Sequence, residues 1–329
     1  MAADIEGREK RVRITFVGQS TYFESAALSV QTANLEPRFV DFRSGDNAEN
    51  LRHQLEANPS DVIIAFKPEA IPHGTLAGVQ GVKIGWFTEP LPRKNPPEPR
   101  PYNDPDAPVD HARDQQLATT AQADLQRRLD SARTVDTNNF DRFIVFDPHI
   151  ADTVNEFAPV WKAVPLPIDD IYFQSVPRSN VPPRIGFFGR PTLHRDLMLG
   201  PSLHSFDVKY IAHGVFGDEL LEMAFKLDVA INLHNERYPN FENRVSLHLA
   251  AGNLVISEPL SPRHGLEPSI DYLEVHTPKE LYIALEEIRN YPESFAMMRQ
   301  RGREKAEYFR ASRVYAQIVA ELVRSQGST

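Results

Sequence analysis

The sequence predicts an α/β protein made of two similar halves, each a parallel sheet flanked by helices. Three observations lead there. A chain of 329 residues exceeds one ordinary core and divides naturally into two domains of about 150 residues each. Short apolar runs alternate with helix-period segments, the pattern of βαβ units. The alternation pauses at a turn-rich stretch, PIDDIYFQSVPRSNVPP (167–183), and then begins again. The expected architecture is therefore two Rossmann-like domains with parallel sheets facing a cleft: residues 1–166, a linker at 167–183, residues 184–310, and a C-terminal helix over 311–329 that packs back on the first domain.

In the first half, RVRITFVG (11–18) reads as a buried strand and STYFESAALSV as a helix with a serine cap. RFVDFR (38–43) reads as a strand and AENLRHQLEANP as a helix. DVIIAF (61–66) and VKIGWF (82–87) are further strands. Residues 90–108 carry eight prolines, which excludes helix and central strand. This insertion is expected to be exposed and mobile, a lid or an acceptor-side loop. A polar helix follows over roughly 110–133, with Leu117, Ala121, Leu125 and Leu129 on one face. FIVFD (143–147) and WKAVPLP (161–167) complete the half as strands. In the second half the strands are RIGFFG (184–189), DVKYIA (207–212), VAINLH (229–234) and NLVISE (253–258). Helices are expected near 216–227, 240–251, 278–290, 292–309 and 311–325.

Composition narrows the function classes. Lys and Arg number 36 against 45 Asp and Glu, a net charge of −9, which disfavours nucleic acid as a main partner. There is no cysteine, hence no disulfide and no thiolate chemistry. The polar start MAADIEGREKRVR lacks the apolar run of a signal peptide, and no stretch approaches the length of a membrane span. A cytoplasmic location is the expectation. HExxH, GxSxG, GxGxxG and GxxxxGK are all absent. Asp104-Pro105-Asp106 matches a metal-binding D-x-D pattern, but it lies inside the proline-rich insertion, and no metal is expected.

In open parallel sheets ligands bind beyond the carboxyl ends of the strands. The residues to inspect there are Gly18, Gly189-Arg190, His213-Gly214, His234-Asn235 and Ser257-Glu258. Gly18 reads either as a tight turn or as a point of close ligand approach. A histidine after a strand is as a rule a surface or capping residue; its recurrence at equivalent strand ends is what singles out His213. The segment NFENRVSLHLAAGNLVISE (240–258) is the most informative. Asn243 and Arg244 fall in the first turn of its helix, where amides and the helix dipole favour an anion, and Arg244 adds a forked cation. His248 lies four residues on, along the same face. An ordinary surface arginine in an amphipathic helix is the competing reading.

The run from RIGFFGR to residue 310 resembles the C-terminal domain of GT-B glycosyltransferases, and is most similar to the CgeB-like group with a family-4-like nucleotide-sugar site. The matching stretches are FFGRPTLHRDLM, DVAINLH, ENRVSLHLAAGNLVISE, HGLEPSIDYLEV and PKELYIALEEIRNYPESFAMMRQRGREKAEYF, in that order. KIGWFTEP and FDRFIVFDPHI give the first half a weaker likeness. The resemblance implies a nucleotide-diphosphate sugar donor held by the second domain. Arg195 and Arg244 match basic positions of the family pattern, and Gly252 the glycine that closes its key helix. His264, Gly265 and Leu266 would lie near the diphosphate or sugar. Two positions depart from the pattern: Leu247 and Pro239 stand where family members carry glutamates, with Glu236 and Glu242 nearby but off register.

The implied activity is transfer of a sugar from a nucleotide-diphosphate donor to an unknown acceptor without metal. Arg195, Arg244 and the helix start at 240–243 would stabilise the departing diphosphate, with Arg190 among the substrate-binding candidates at the strand ends. Glu89 would serve as base for the acceptor hydroxyl, with His111 a distant second and a plain strand-end acid the competing reading of Glu89. Two alternatives stand beside transfer: a nucleotide- or sugar-binding protein of weak activity, which Leu247 and Pro239 favour, and a nucleotide-sugar epimerase.

Overall fold

The structure is a computed structural model and describes residues 11–32, 34–96, 111–174, 178, 180–212, 214–235 and 239–326. It forms two compact units. The described residues of Met1–Leu91, Arg127–Asp170 and Phe309–Thr329 make the first, and those of Pro92–Gln126 and Ile171–Tyr308 make the second. Residues 92–96 and 111–126, counted with the first domain in the sequence reading, group with the second unit.

The first unit is a six-stranded sheet. Its elements in order are β1 (Val12–Gly18), α1 (Ser20–Leu28), β2 (Leu35–Asp41), α2 (Ala48–Ala57), β3 (Val62–Phe66), β4 (Val82–Phe87), the C-terminal end of α3 (His111–Ala132), β5 (Arg142–Val145), α4 (Ala151–Val154) and β6 (Val160–Ala163). The strand order is β2-β1-β3-β4-β5-β6, with every pairing parallel. Pro37 is tolerated inside β2 because β2 is an edge strand.

Both faces of this sheet are covered, which is why its strands read as unbroken apolar runs. Val17, Ile63, Ala65, Phe87 and Val145 face α2 through Leu51 and Leu55. Ile14, Phe16, Ile64, Phe66 and Trp86 face the C-terminal helix Ala311–Gln326, which supplies Val314, Tyr315, Ile318, Val319 and Leu322 at helical spacing. The Tyr315 ring meets Phe16 edge-on at 4.7 Å. Asp170 fixes the start of this helix, accepting from Ser312 N at 3.1 Å and Ser312 Oγ at 2.6 Å.

The second unit is a five-stranded parallel sheet whose order runs β11 (Leu273–Glu274), β10 (Leu254–Ser257), β9 (Val229–Asn232), β7 (Ile185–Phe188), β8 (Val208–Ile211). Its elements are β7 (Ile185–Phe188), α5 (Leu193–Leu203), β8 (Val208–Ile211), α6 (Gly217–Lys226), β9 (Val229–Asn232), α7 (Asn243–Ala250), β10 (Leu254–Ser257), β11 (Leu273–Glu274), α8 (Pro278–Asn290) and α9 (Ala296–Lys305). The C-terminal helix of the first unit is α10. Ile185, Phe187, Val229, Ile231, Leu254 and Ile256 pack against α5 and α8 through Met198, Leu199, Leu281, Leu285 and Ile288.

Three expectations need correction. The helix α5 falls where the sequence signalled none, because Gly200 and Pro201 sit in its last turn and mask the periodicity. Gln19, not a serine, stands at the start of α1, and the Asp41 carboxylate takes the Ser20 N–H at 2.8 Å. The proline-rich stretch begins docked rather than exposed: Leu91 and Arg93 are buried. Residues 97–108 of that stretch, including Asp104 and Asp106, lie outside the described residues.

Asp228, fully buried just before β9, ties the start of the second sheet together. It accepts from Asn180 N at 3.1 Å, Asn180 Nδ2 at 2.6 Å, Arg184 N at 2.9 Å and Arg184 Nε at 3.2 Å. Asp228→Ala leaves those donors without their acceptor and is expected to lower unfolding stability by about 2–4 kcal/mol, read as a lower urea midpoint.

Candidate functional site

In a parallel sheet each strand hands the chain to the next helix at the carboxyl edge, so the helix amino termini gather there. In the second unit two of these turns bring arginines together. After β7, Gly189 and Arg190 make the turn and Thr192 caps α5, its hydroxyl accepting the Arg195 N–H at 3.3 Å. Arg195 thus lies in the first turn of α5, 2 % exposed. Its guanidinium donates to Leu233 O at 3.0 Å, to Arg190 O at 3.0 Å and to Glu242 Oε1 at 3.2 Å. After β9, Glu242 holds the position before α7 and Arg244 lies in the helix's first turn. Arg244 donates to Phe188 O and pairs with the same Glu242.

Gly189 makes room for both guanidinium groups. A Cβ there would stand 2.5 Å from Arg244 Nη1 and 3.1 Å from Arg195 Nη1. Beneath the arginines, Glu258 after β10 accepts from His194 Nε2 at 2.8 Å and from His234 N at 2.7 Å. His234 Nε2 in turn donates to Pro259 O at 2.8 Å. Burial pushes the Glu258 carboxyl up, but the His194 bond and the neighbouring histidines outweigh it and hold the group below its ordinary value. These contacts lock the ends of β9 and β10 and the start of α5 in one arrangement. Arg93, from the start of the proline-rich stretch, donates to Pro239 O at 3.0 Å and Ser261 O at 3.0 Å, fixing the loops on either side.

The remaining sequence candidates fall at several distances from this centre. Arg190 is exposed, with Nε on Asn235 Oδ1 at 3.2 Å. Asn243 is exposed at the start of α7 and accepts from Ser246 Oγ. His248 faces inward rather than along the ligand-facing side: it is 2 % exposed, Nδ1 donates to Asn253 Oδ1 at 2.9 Å, and its ring lies 5.2 Å from that of Phe188. His264 and Gly265 form a left-handed turn, at φ 47 and 81, with the imidazole edge-on to Phe241 at 4.7 Å. Leu266 is buried. His213 lies outside the described residues, as does the side chain of His111.

In the first unit, Gly18 sits beneath an aromatic stack. A Cβ there would press on Phe66 at 3.2 Å and Phe23 at 3.4 Å, two rings stacked at 4.2 Å. Glu89, just past β4, pairs with Lys67 Nζ at 2.5 Å. Lys67 holds a left-handed φ of 54 just past β3. Burial raises the nearby Glu69 carboxyl against the lowering pull of its own backbone N–H and of Lys67. Among the described residues, no group of three or more His, Asp or Glu side chains is gathered to hold a metal ion, and no helix is long and apolar enough to cross a membrane.

Sequence reasoning passed over Glu242 because it is off the family register, and Arg93 because prolines surround it. Glu258 and His234 stood among the strand-end residues singled out for inspection, whereas His194, in the first turn after β7, was passed over.

No family model matches the chain, and no curated protein matches it. Solved structures do. A sucrose-phosphate synthase from Thermosynechococcus elongatus is 12% identical with a TM-score of 0.59, covering 97% of this chain and 100% of its own. HepE of Anabaena, in complex with UDP-glucose, is 11% identical with a TM-score of 0.58, covering 95% and 100%. A glycosyltransferase from Rickettsia africae is 8% identical with a TM-score of 0.54, covering 96% and 99%. The class defined at this level is a fold: two Rossmann-like units with parallel sheets, shared with glycosyltransferase structures along nearly the whole chain.

The buried His248 gives the unit a pH dependence. Burial, foremost, lowers its pKa from 6.5 to about 4, with Arg244 also disfavouring the charged form and the Asn253 bond opposing both. The unfolded chain therefore takes up this proton first as pH falls. The stability from a neutral His248 is complete above pH 6.5 and is lost progressively down to about 4, about 3 kcal/mol in all. Urea midpoints of wild type and His248→Gln between pH 7 and pH 4 check this: the variant is expected to show the shallower decline.

Proposed function

We propose that the second unit binds the diphosphate of a nucleotide-sugar donor at the carboxyl edge of its sheet, and that the chain transfers the sugar to an acceptor. One observation carries this reading: Arg195 and Arg244 converge from the first turns of two helices at the edge where parallel sheets take ligands. Fixed guanidinium groups stabilise a departing diphosphate without reorganising, which is what leaving-group departure requires, and the reading assigns that work to them rather than to a metal ion. The fold shared with glycosyltransferase structures, one of them holding UDP-glucose, supports it. On the acceptor side the reading keeps Glu89 as the carboxylate for the incoming hydroxyl, with Lys67 as its cationic neighbour.

A second reading, binding without turnover, is favoured by two residues, Leu247, half-buried on α7, and Pro239, which stand where the family pattern carries glutamates. Hydrolysis or transfer from UDP-glucose, followed by release of UDP, separates the two, since a binding protein releases none.

Arg244→Ala is expected to weaken UDP by about 10- to 150-fold, the worth of one charge-assisted contact of roughly 1.5–3 kcal/mol. Uridine, which has no phosphate, is expected to bind the variant as it binds wild type. Gly189→Ala displaces Arg244 and is expected to shift UDP affinity in the same direction by less. Calorimetry with both ligands on the three proteins reads these outcomes; equal losses for uridine and UDP would remove Arg244 from the phosphate site.

A further inference from the structure

Glu242 stands where an acidic residue usually caps a helix. Its backbone is extended, at φ −89 and ψ 140, immediately before α7, yet its side chain makes no capping hydrogen bond to that helix. The carboxylate turns instead to the two arginines and is shared by both. His234 Nδ1 lies 3.9 Å from it.

Both arginines also have backbone anchors apart from this carboxylate. Arg195 is anchored by the carbonyls of Leu233 and Arg190, and Arg244 by that of Phe188. The carboxylate itself is 20% exposed, against 2% for Arg195 and 15% for Arg244, so of the three groups it lies nearest to water.

We propose that Glu242 is the internal occupant of the anion site: it holds the Arg195 and Arg244 donors in the unliganded chain and is displaced when a diphosphate binds. This rests on the donor-site reading above. The consequence is selectivity. An incoming ligand must outcompete a carboxylate already in place, so the two linked phosphates of a diphosphate gain entry where a single phosphate gains little.

Calorimetry with inorganic pyrophosphate, inorganic phosphate and UDP tests this on wild type, Glu242→Gln and Arg244→Ala. Glu242→Gln keeps the shape and removes the competing charge. It is expected to bind pyrophosphate and UDP about tenfold more tightly, the worth of one displaced charged contact, and to narrow the preference for pyrophosphate over phosphate. Weaker or unchanged pyrophosphate binding by Glu242→Gln overturns the proposal, since Glu242 would then orient the arginines or stand apart from the ligand. Should Glu242→Gln fail to fold, Glu242→Asp carries the same test. The aspartate is too short to bridge both arginines, so tighter pyrophosphate binding supports the proposal and weaker or unchanged binding overturns it. Failure of the underlying reading looks different: Arg244→Ala would bind UDP as wild type does, whatever Glu242→Gln shows.

Discussion

Two guanidinium groups held against one carboxylate, those of Arg195 and Arg244 against Glu242, organise the carboxyl edge of the second sheet. Like charges brought this close must be compensated and anchored, and the surrounding structure supplies both. Gly189 forgoes a side chain so that the guanidinium groups can approach the end of β7. The carbonyls of Phe188, Arg190 and Leu233 also accept from them. Glu258 ties the start of α5 to the end of β9 through His194 and His234. Each of these residues makes sense as part of a frame that keeps cations fixed where helix amino termini already favour an anion.

The first unit is organised by a different constraint. A parallel sheet must be covered on both faces, and here one cover comes from the far end of the chain. The helix α10 buries Tyr315 against Phe16, while Asp170 and the backbone bridge between Ile168 and Arg310 fix where that helix begins. The first unit's fold therefore requires residues more than 140 positions apart in sequence to be joined before its sheet is sealed. At the carboxyl edge of that sheet, Lys67 in its left-handed conformation and Glu89 form a charged pair directly past adjacent strands, the place where this fold class presents chemistry.

The alternation of strands and helices was legible because buried parallel strands are apolar on both faces; VIIAF and LVIS announce themselves by composition alone. The helix α5 was not, since Gly200 and Pro201 near its end break the pattern while tertiary packing of Met198 and Leu199 overrides local preference. Arg244 was legible from its place in a first turn. Its partner Glu242 was visible but unassigned, because which way a side chain turns at a helix start depends on neighbours distant in sequence. His248 shows the same limit in reverse: shared helical face with Arg244 predicted a ligand contact, yet a hydrogen bond to Asn253 and the Phe188 ring draw it into the core. Arg93 lay hidden in proline-rich sequence because its role is set by the Pro239 and Ser261 carbonyls, which only the folded chain brings to it.

The proposed diphosphate site, with Arg195 and Arg244 at the carboxyl edge of the second sheet, is defined by where phosphate oxygens bind. A crystal structure of the chain with UDP tests it most directly. Phosphate oxygens are expected within hydrogen-bonding distance, roughly 2.7–3.2 Å, of both guanidinium groups. UDP bound elsewhere on the chain, with both arginines still closed on Glu242, would contradict it.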